Sequence, residues 1–525
     1  MALSGVSPTN PRPAIRREYV FAAGPSSGSA PDRPVLLIGN NTSAGSEADD
    51  LIGDPIIDDA DAKARLGARS EAYAMYRAFV AVPQDATIYV LCPTESGGAA
   101  SSVELTISGA SDASSGWEIH VHGETISVSV ESGATQTATA TAIALALNSH
   151  DEGRLQVTSV AAIDGAGPDY KVTVTAAQAG DRGTQIIGAT ATRGIRVKAT
   201  GPTNAMTLVK NTGAHVAGGA DDDWTAASVQ VATGEWYYQA LAKTAVATVN
   251  ATDNGLGEHQ TMITAQALPI NGKDQRTFYT VVGTNAENTA VGISAAMNSV
   301  YGHGFWMENS DWSSAMISAH CMAVVRQQEL AHPAANINGW TAGDGKIFSI
   351  PAPFLKADYP TNAEIVTALN NGSSPISFVG GRVVLERFVT TRSLNAAGNN
   401  DYRAREGHIP SVVHFFWSIA RQRYESIRQP FADDEPTGDL PPTARTMIPS
   451  TIKSMLHGWI DEAAGSYPLS VYAGPLLKPS AAAAMKASTR VLYAGGGSFP
   501  TEQDIAAVEH DIKWETTLRE VGDSY

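Results

Sequence analysis

The chain has few charged residues and only two cysteines. Charged residues make up 17% of the 525 residues, against about 25% in an average globular protein. Two cysteines, Cys92 and Cys321, can form neither a disulfide framework nor a four-thiolate zinc site. Lys and Arg number 36 against 53 Asp and Glu, so the net charge is −17. Because phosphate binding depends on cations, we expect no nucleic-acid partner, and anionic lipid should repel the chain.

Long apolar runs are also missing. No stretch approaches about 18 consecutive apolar residues, so the sequence predicts no spanning helix and no direct membrane insertion. Residues 1–6 have neither the basic nor the apolar region of a secretory signal. What the chain does have is 43% hydrophobic residues, enough for a sizeable core. At about 150 residues per domain, its length predicts three to four domains.

Changes in composition along the chain predict its organisation. Apolar runs at 35–39 and 87–91 flank a helical pattern at 70–79, which predicts an α/β unit with parallel strands. From residue 94 a Ser/Thr-rich sequence with two-residue alternation predicts a separate β-rich domain. The fold class is therefore α/β (more broadly α+β) and multidomain, with a discontinuous core, an inserted domain and extended terminal arms.

The expected segments have the following bounds. They are an N-terminal arm (1–30), a first core segment (31–93), an inserted β-rich domain (94–219), a second core segment (220–350), a C-terminal inner domain (351–505) and a C-terminal arm (506–525). Beyond residue 220 the patterns predict helices at 237–247, 315–330, 414–427 and 451–464, and strands at 277–282 and 383–389.

Several motifs resemble catalytic or metal sites, but simpler structural explanations are favoured. Residues 24–28 match G-x-S-x-G but lie in a Pro/Ser-rich arm, not between a strand and a helix. The turn at 39–46 lacks the Lys of a phosphate loop. His120 and His122 lie two apart on a predicted strand, so both would face one side and could bind one metal ion. No third ligand is near them in sequence. The other candidates, which have no such spacing, are His303, His320, Cys321, His332, the acidic triplet 221–223 and the aromatic run 415–419.

The sequence therefore predicts no catalytic residue, no cofactor and no metal site. A missing motif is weak evidence, because catalytic triads are spatial and not sequential. Two arms and a decorated α/β core favour a structural or assembly protein over an enzyme.

Several stretches together resemble one protein family. Residues 66–79 are similar to "FG-x-GS-x-x-x-M-x-x-AF", although Gly67-Ala68-Arg69-Ser70 replaces the usual Gly-x-Gly-Ser. The stretches at 126–147, 179–184 and 218–220 are similar to its hairpin and helix, its "KG-x-x-GN" turn and the segment before its central helix. The most specific stretch is 381–391, followed by 395–398 and Asp401, which resembles "G-x-V-x-I-x-R-x-I-T-T-Y-x-x-N-x-x-G-x-x-D"; Arg392 stands where Tyr is usual. The chain thus resembles bacteriophage contractile tail sheath proteins, nearest to the Mu-like tail sheath family.

The resemblance implies a structural subunit of a phage tail. Such subunits stack as hexameric rings into a helical sheath around an inner tail tube. The sheath contracts to drive the tube through the host envelope during genome delivery. The implied partners are other copies of the chain, the inner tail tube protein, and the baseplate and tail terminator at the two ends. The implied location is the virion, assembled in the host cytoplasm, with the inserted domain outward and the C-terminal inner domain towards the tube.

The resemblance also implies that the arms add strands to a small sheet in neighbouring subunits. The candidate arm-strand residues are Ile15, Tyr19, Phe21, Ile512, Trp514 and Leu518. The candidate tube-facing residues are Arg421, Arg423 and Arg428. Alternatively, both arm segments are ordinary edge strands of their own domain.

Three other functions remain open. The first is a sheath subunit of a non-viral contractile injection system, such as a bacteriocin or a type VI-like system. The second is a Ser/Thr-rich β adhesin, which would be a stable monomer or trimer. The third is a hydrolase built on the α/β core, for which no nucleophile is evident.

Overall fold

The structure is a computed structural model in which the backbone traces a mixed α/β fold. It describes residues 33–42, 44–95, 98–150, 155–163, 170–180, 182–218, 224–242, 256–267, 273–283, 285–331, 350–351, 353, 355–380, 382–394, 398–399, 405–408, 410–411, 414, 486–493 and 512–519. For 486–493 and 512–519 it describes the backbone.

The strands and helices in these ranges have the following bounds. The strands are β1 (Val35–Ile38), β2 (Ile88–Leu91), β3 (Ala100–Ser108), β4 (Ser115–Val121), β5 (Glu124–Val130), β6 (Val157–Ile163), β7 (Tyr170–Ala179), β8 (Arg196–Thr200), β9 (Thr207–Val216), β10 (Tyr238–Leu241), β11 (Arg276–Gly283), β12 (Gly302–Glu308), β13 (Ser373–Val379), β14 (Arg382–Leu385), β15 (Lys486–Tyr493) and β16 (Ile512–Arg519). The helices are α1 (Asp59–Leu66), α2 (Glu71–Val80), α3 (Gln136–Ser149), α4 (Arg182–Ile187), α5 (Thr225–Val231), α6 (Leu256–Gln266), α7 (Ala286–Met297), α8 (Ser314–Ala331) and α9 (Asn362–Asn370), with a 3-10 turn at Lys356–Asp358.

A seven-stranded sheet forms the core. Its strand order is β14-β13-β12-β11-β10-β1-β2, and all neighbours are parallel except the antiparallel pair β13–β14. Val35 in β1 lies opposite Ile88 of β2 on one side and Tyr238 of β10 on the other. All four residues of β1 are buried, as a continuous apolar run in a parallel sheet requires.

Helices cover both faces of this sheet. Helices α2 and α8 cover one face, and their buried residues include Phe79 and Met322. Helices α5, α6, α7 and α9 cover the other face, where Trp224 and Ile293 pack beneath the strands. Apolar side chains of both helix layers pack against the strands, so the central sheet is buried on both faces.

Local sequence fixes where the helices begin and end. The Ser70 side chain caps α2 by accepting from the Tyr73 N–H at 2.9 Å. Thr361 and Glu364 form a reciprocal capping box at the start of α9. Gly67 ends α1 with a φ of 85°, and a Cβ there would meet the Thr42 hydroxyl. Glycine is therefore required at this position of the 66–79 stretch.

The inserted segment between β2 and β10 has its own core. A four-stranded sheet (β6-β7-β3-β9) and a three-stranded sheet (β5-β4-β8) are antiparallel throughout. Alternate residues of β3 and β4, among them Leu105 and Ile119, pack with Ile143 of α3. The two-residue alternation in the sequence, which predicts a β-rich domain, is thus the alternation between core and surface along these strands.

Four polar contacts join the inserted segment to the core. The Arg69 guanidinium donates to the backbone carbonyls of Asn148, at 2.6 Å, and of Val157. The Ser314 hydroxyl donates to Gln185 at 2.9 Å, and Arg196 pairs with Asp311.

Two elements differ from the sequence prediction. The helix expected at 237–247 is wrong, because Tyr238–Leu241 is strand β10, paired between β1 and β11. Its residues have no two-residue period because all four are buried. The strand expected at 383–389 ends at Leu385; Val389 makes only an isolated bridge to Glu406.

The fold class predicted from the sequence is confirmed: the chain is a multidomain α/β protein with several sheets. β13 and β14 extend the central sheet beyond residue 350, where the composition predicts the core to end. Of the helix expected at 414–427 only residue 414 is described, and the helix at 451–464 lies outside the described residues.

Candidate assembly site

The C-terminal strands form a sheet of their own. β15 and β16 pair antiparallel over eight residues each, from Lys486 opposite Arg519 to Tyr493 opposite Ile512. Within the described residues this pair joins no other strand. Each strand therefore has an outer edge whose backbone groups could pair with a further strand.

The predicted C-terminal arm positions lie in this pair. Ile512, Trp514 and Leu518 occupy alternate positions of β16, opposite Tyr493, Val491 and Ala487. In sequence, the intervening positions of both strands include Lys486, Arg490, Lys513, Glu515 and Arg519. The strand predicted at 512–518 is thus present, while its role between subunits remains a prediction.

The other predicted assembly residues are not among those described. Ile15, Tyr19 and Phe21 lie outside the described residues. So do the candidate tube-facing residues Arg421, Arg423 and Arg428.

A buried ion pair lies where the central strands begin. The Arg276 guanidinium donates from Nη1 to both Glu329 carboxylate oxygens, at 2.9 and 2.6 Å. Both side chains are fully buried. The Tyr238 hydroxyl donates to the same carboxylate at 2.8 Å. Burial alone would lower the pKa of Arg276, but the Glu329 carboxylate, together with Tyr237 and Tyr238, outweighs burial and raises that pKa.

The rest of the Arg276 guanidinium binds the C-terminal part of the described core. Nε donates to His303 Nε2 at 2.9 Å, and Nη2 donates to the Gly407 carbonyl at 2.9 Å. Because Nε2 accepts, His303 is neutral and turns Nδ1 towards the Val389 carbonyl, 3.4 Å away. Burial, with Arg276 beside it, holds the pKa of His303 well below its usual value. The side chains of Arg276, Glu329, His303 and Tyr238 are fully buried, so the group stabilises the fold where the central strands begin.

The 381–391 stretch packs against this group. The Phe388 ring stacks on His303 and Phe278, with centroids 4.8 and 6.2 Å apart. The Thr390 N–H bonds to Arg405 O at 2.7 Å, and the Thr391 N–H bonds to Gly302 O at 2.8 Å. The described residues of the stretch therefore have a structural role: they join Phe388–Thr391 to Gly302, Arg405 and Gly407.

His120 and His122, considered above as possible ligands of one metal ion, lie in different local structure. β4 ends at Val121, and His122 follows it in a turn with a φ of 53°. His120 stays on the strand, where its Nδ1 lies 3.0 Å from the Thr125 hydroxyl. The expectation that both face one side is wrong, because the turn at His122 ends the two-residue alternation.

The remaining motif residues hold the fold where they are described. The Asn40 N–H bonds to the Glu71 carboxylate at 3.2 Å, which ties the 39–46 turn to α2. His320 Nδ1 lies 2.9 Å from Ala78 O, and Cys321 is buried. Residues 24–28, 221–223, His332 and 415–419 lie outside the described residues.

The described portion of the chain contains neither a metal-binding cluster nor a membrane-spanning helix. No three His, Cys, Asp or Glu residues there are grouped to hold a metal ion. None of the helices there combines the length and apolarity needed to cross a bilayer.

No sequence pattern indicates the buried group around Arg276. Arg276 begins a strand that was predicted, and Glu329 lies in a helix that was predicted, but they lie far apart in sequence. The sequence does show Arg276 before an apolar strand and Glu329 on an apolar helix face. Neither residue by itself indicates that the other is its partner.

Comparison with known proteins gives weak similarities. No family model matches the chain, and no curated protein matches it. A sheath tail protein from Desulfitobacterium hafniense is 11% identical in a match covering 79% of this chain and 83% of that chain, with a TM-score of 0.35. A chain in the cryo-EM structure of the anti-feeding prophage (AFP) baseplate, 6-fold symmetrised, is 11% identical. That match covers 98% of this chain and 97% of that chain, with a TM-score of 0.45. At this identity, with TM-scores below 0.5, neither assigns a family or a function.

Proposed function

We propose that this chain is the structural subunit of a contractile tail sheath, with a role in assembly and none in catalysis. Copies would stack as hexameric rings around an inner tail tube, with a baseplate and a tail terminator at the ends. Contraction would repack the subunits and drive the tube through a cell envelope. The sequence resemblance at 66–79 and 381–391 is the starting point of the proposal.

The observation that best supports the proposal is the separate β15–β16 pair. Two-stranded sheets are marginally stable in water, so a third strand from outside would stabilise this one. Strand addition supplies backbone hydrogen bonds that need no fixed side-chain fit. A link of this kind can survive rotation of the subunit bodies while their other contacts are exchanged. The N-terminal segment carrying Ile15, Tyr19 and Phe21 of a neighbouring copy is the proposed added strand.

Mixing two truncated chains tests this link. A chain lacking 1–30 would keep the receiving pair but lose the donated strand, and a chain lacking 506–525 would have the opposite defect. Each should be monomeric alone, and a 1:1 mixture should give a heterodimer by light scattering, because only one link can form. A monomeric mixture, or tubes from either chain alone, would contradict the proposed link.

A point substitution provides a matched check in the 525-residue chain. Thr516→Pro removes a backbone N–H in the middle of β16 and should abolish association, since proline is not tolerated inside a paired strand. Thr516→Val keeps the N–H and strand propensity and should associate normally.

The proposed phage role and a non-viral injection system share this assembly mechanism. Neighbouring genes separate them, because capsid and terminase genes mark a phage. We propose the phage role, with genome delivery as its outcome.

A further inference from the structure

One aromatic ring contacts residues at the bases of both terminal regions. Arg33, two residues before β1, marks the base of the N-terminal region 1–32. His414, at the start of the helix predicted at 414–427, marks the base of the C-terminal region 415–525. Arg33 Cζ lies 5.2 Å from the centroid of the Tyr237 ring. The His414 imidazole stacks on that ring with centroids 3.9 Å apart and an angle of 23° between planes. Tyr237 itself is 3% exposed.

The Tyr237 ring is attached to the rigid core. It precedes β10, and the Tyr238 ring packs edge-on against it at 4.7 Å. Arg276 Cζ lies 5.5 Å from the same centroid, and the Arg276 guanidinium also binds the Gly407 carbonyl at 2.9 Å. His414 Nδ1 lies 3.4 Å from an Asp274 carboxylate oxygen, just before β11. The bases of the two terminal regions are thus joined through one ring at the start of the central strands.

We propose that Tyr237 is a positioning residue that couples the two bases, so that Arg33 and His414 each hold one placement on the core. This inference rests on the proposed function, in which both terminal regions link neighbouring copies. A cation over an aromatic face and a stacked imidazole each favour one placement relative to the ring. If the Arg33 or the His414 contact is lost, the Tyr237 ring is held less tightly, and the remaining contact is weakened as well.

Amide hydrogen exchange of the unassembled protein tests the coupling. The Val35 N–H bonds to Thr87 O and the Gly407 N–H bonds to Phe388 O, both at 2.9 Å, so each reports opening at one base. His414→Ala should speed exchange at Val35, and Arg33→Ala should speed exchange at Gly407, each about tenfold, because local opening sets these rates. Tyr237→Leu should do both, and Tyr237→Phe, which keeps the ring, should change neither more than about twofold.

Two controls separate coupling from general loosening. The Gly133 N–H, bonded to Ser111 O at 2.9 Å in the inserted segment, should keep its rate in all variants. Arg77→Ala removes a comparable cation from the Tyr73 ring, 5.9 Å away, and should leave Val35 and Gly407 unchanged. If His414→Ala speeds exchange only at Gly407, or Arg33→Ala only at Val35, the coupling is overturned. If Tyr237→Leu does not fold, the Arg33 and His414 variants still decide the question.

Assembly is measured separately, by sedimentation of tubes. If the wild-type chain forms tubes, Tyr237→Phe should form them and folded Tyr237→Leu should require at least about tenfold more protein. Tubes from Tyr237→Leu at the wild-type concentration would overturn the inference and leave the proposed function standing. A wild-type chain that forms no tubes contradicts the proposed function, and the exchange rates then decide the coupling alone.

Discussion

At the residue scale, Lys210 shows how one buried charge organises a loop. Its ammonium lies 2.9, 2.7, 2.8 and 2.7 Å from the carbonyls of Ile187, Gly188, Thr190 and Arg193. Burial, and then the charge of Arg196, lower the pKa of Lys210 to about 8. The four carbonyls act in the opposite sense, because only the ammonium has three N–H groups to donate. This loop lies between Gln185 and Arg196, two residues that fasten the inserted segment to the core.

Lys210→Met should therefore destabilise the inserted segment. The substitution leaves buried carbonyls without a donor, and we expect a loss of about 2–3 kcal/mol in urea unfolding. Lys198→Met, on β8 with 64% of its side chain exposed, should change stability by about 0.5 kcal/mol or less. Equal losses from the two variants would show that the carbonyls do not depend on the ammonium.

The Arg276–Glu329 pair makes a second residue-scale prediction. Glu329→Gln leaves a fully buried guanidinium without its counter-ion, which should cost about 3–5 kcal/mol. Glu406→Gln breaks a pair whose Arg387 side chain is 47% exposed, and should cost about 1 kcal/mol or less. The midpoints of chemical unfolding compare the two variants. A Glu329→Gln midpoint equal to that of Glu406→Gln would contradict the structural role of the pair.

At the element scale, the segment 47–58 covers one edge of the central sheet. β2 is the edge strand, and the segment 47–58 runs beside it through bridges from Ile52 to Leu91 and from Ile56 to Ile88. That segment holds five acidic residues and Pro55. Charge, proline and irregular pairing all discourage another strand from adding at an edge. Strand addition is thereby directed away from β2.

Neighbouring isoleucines in this segment make a matched test. Ile56 is 9% exposed and Ile57 is 85% exposed. Ile56→Asp should destabilise the protein by about 2–3 kcal/mol and increase aggregation by light scattering, because it detaches the segment from β2. Ile57→Asp should match the wild-type chain in both measurements, and a similar defect there would contradict this account of the edge.

Elements with a local sequence pattern are predictable from the sequence. Elements that form only because of their neighbours in the sheet are not. β1 and β2 were predicted because each is a continuous apolar run ending at a turn. β10 was not, because Tyr238–Leu241 has no period and becomes a strand only between β1 and β11. β13 contains Pro375, which argues against a central strand. Its register with β12 reaches Trp306 opposite Pro375 and extends no further.

The same distinction applies to the residues of the candidate assembly site: a local pattern indicates some of them, and only tertiary contacts bring the others together. Alternation at 512–518 predicted β16, since a strand has a period of two. The ring contacts of Arg33, Tyr237 and His414 join residues far apart in sequence, and nothing local in any of the three stretches indicates the other two.

At the scale of the whole molecule, buried histidines make stability depend on pH. Burial lowers the pKa of His122 to about 4 and those of His259 and His408 to about 3. In the unfolded chain a histidine has a pKa of about 6.5, so below that pH the unfolded state binds more protons and stability falls. Burial raises the pKa of Glu308 and of Asp311 above the value of about 4 in the unfolded chain, so these two carboxyls act in the opposite sense and offset part of the loss.

We expect each of these three histidines to lower the free energy of unfolding by about 2 kcal/mol between pH 8 and pH 5. Urea unfolding at the two pH values measures the loss. His259→Leu replaces a fully buried imidazole with an apolar side chain and should reduce that loss by about 2 kcal/mol. An unchanged pH dependence in this variant would mean that His259 is protonated in the folded state.

The net charge of −17 and the low charge density also concern the whole molecule. In the proposed sheath, many copies would exchange one set of contacts for another. Few ion pairs between subunits would have to break in that exchange. Because exposed ion pairs contribute little stability, having few of them would cost the assembled sheath little. The inserted segment, with its own core, would then move with the body to which Arg69 and Arg196 fasten it.

Negative-stain electron microscopy of the purified 525-residue chain at high concentration tests the central claim most directly. A sheath subunit with a separate two-stranded sheet and a neighbour's strand to complete it should form striated tubes or long polysheaths. A solution of uniform monomers under the same conditions would contradict the account.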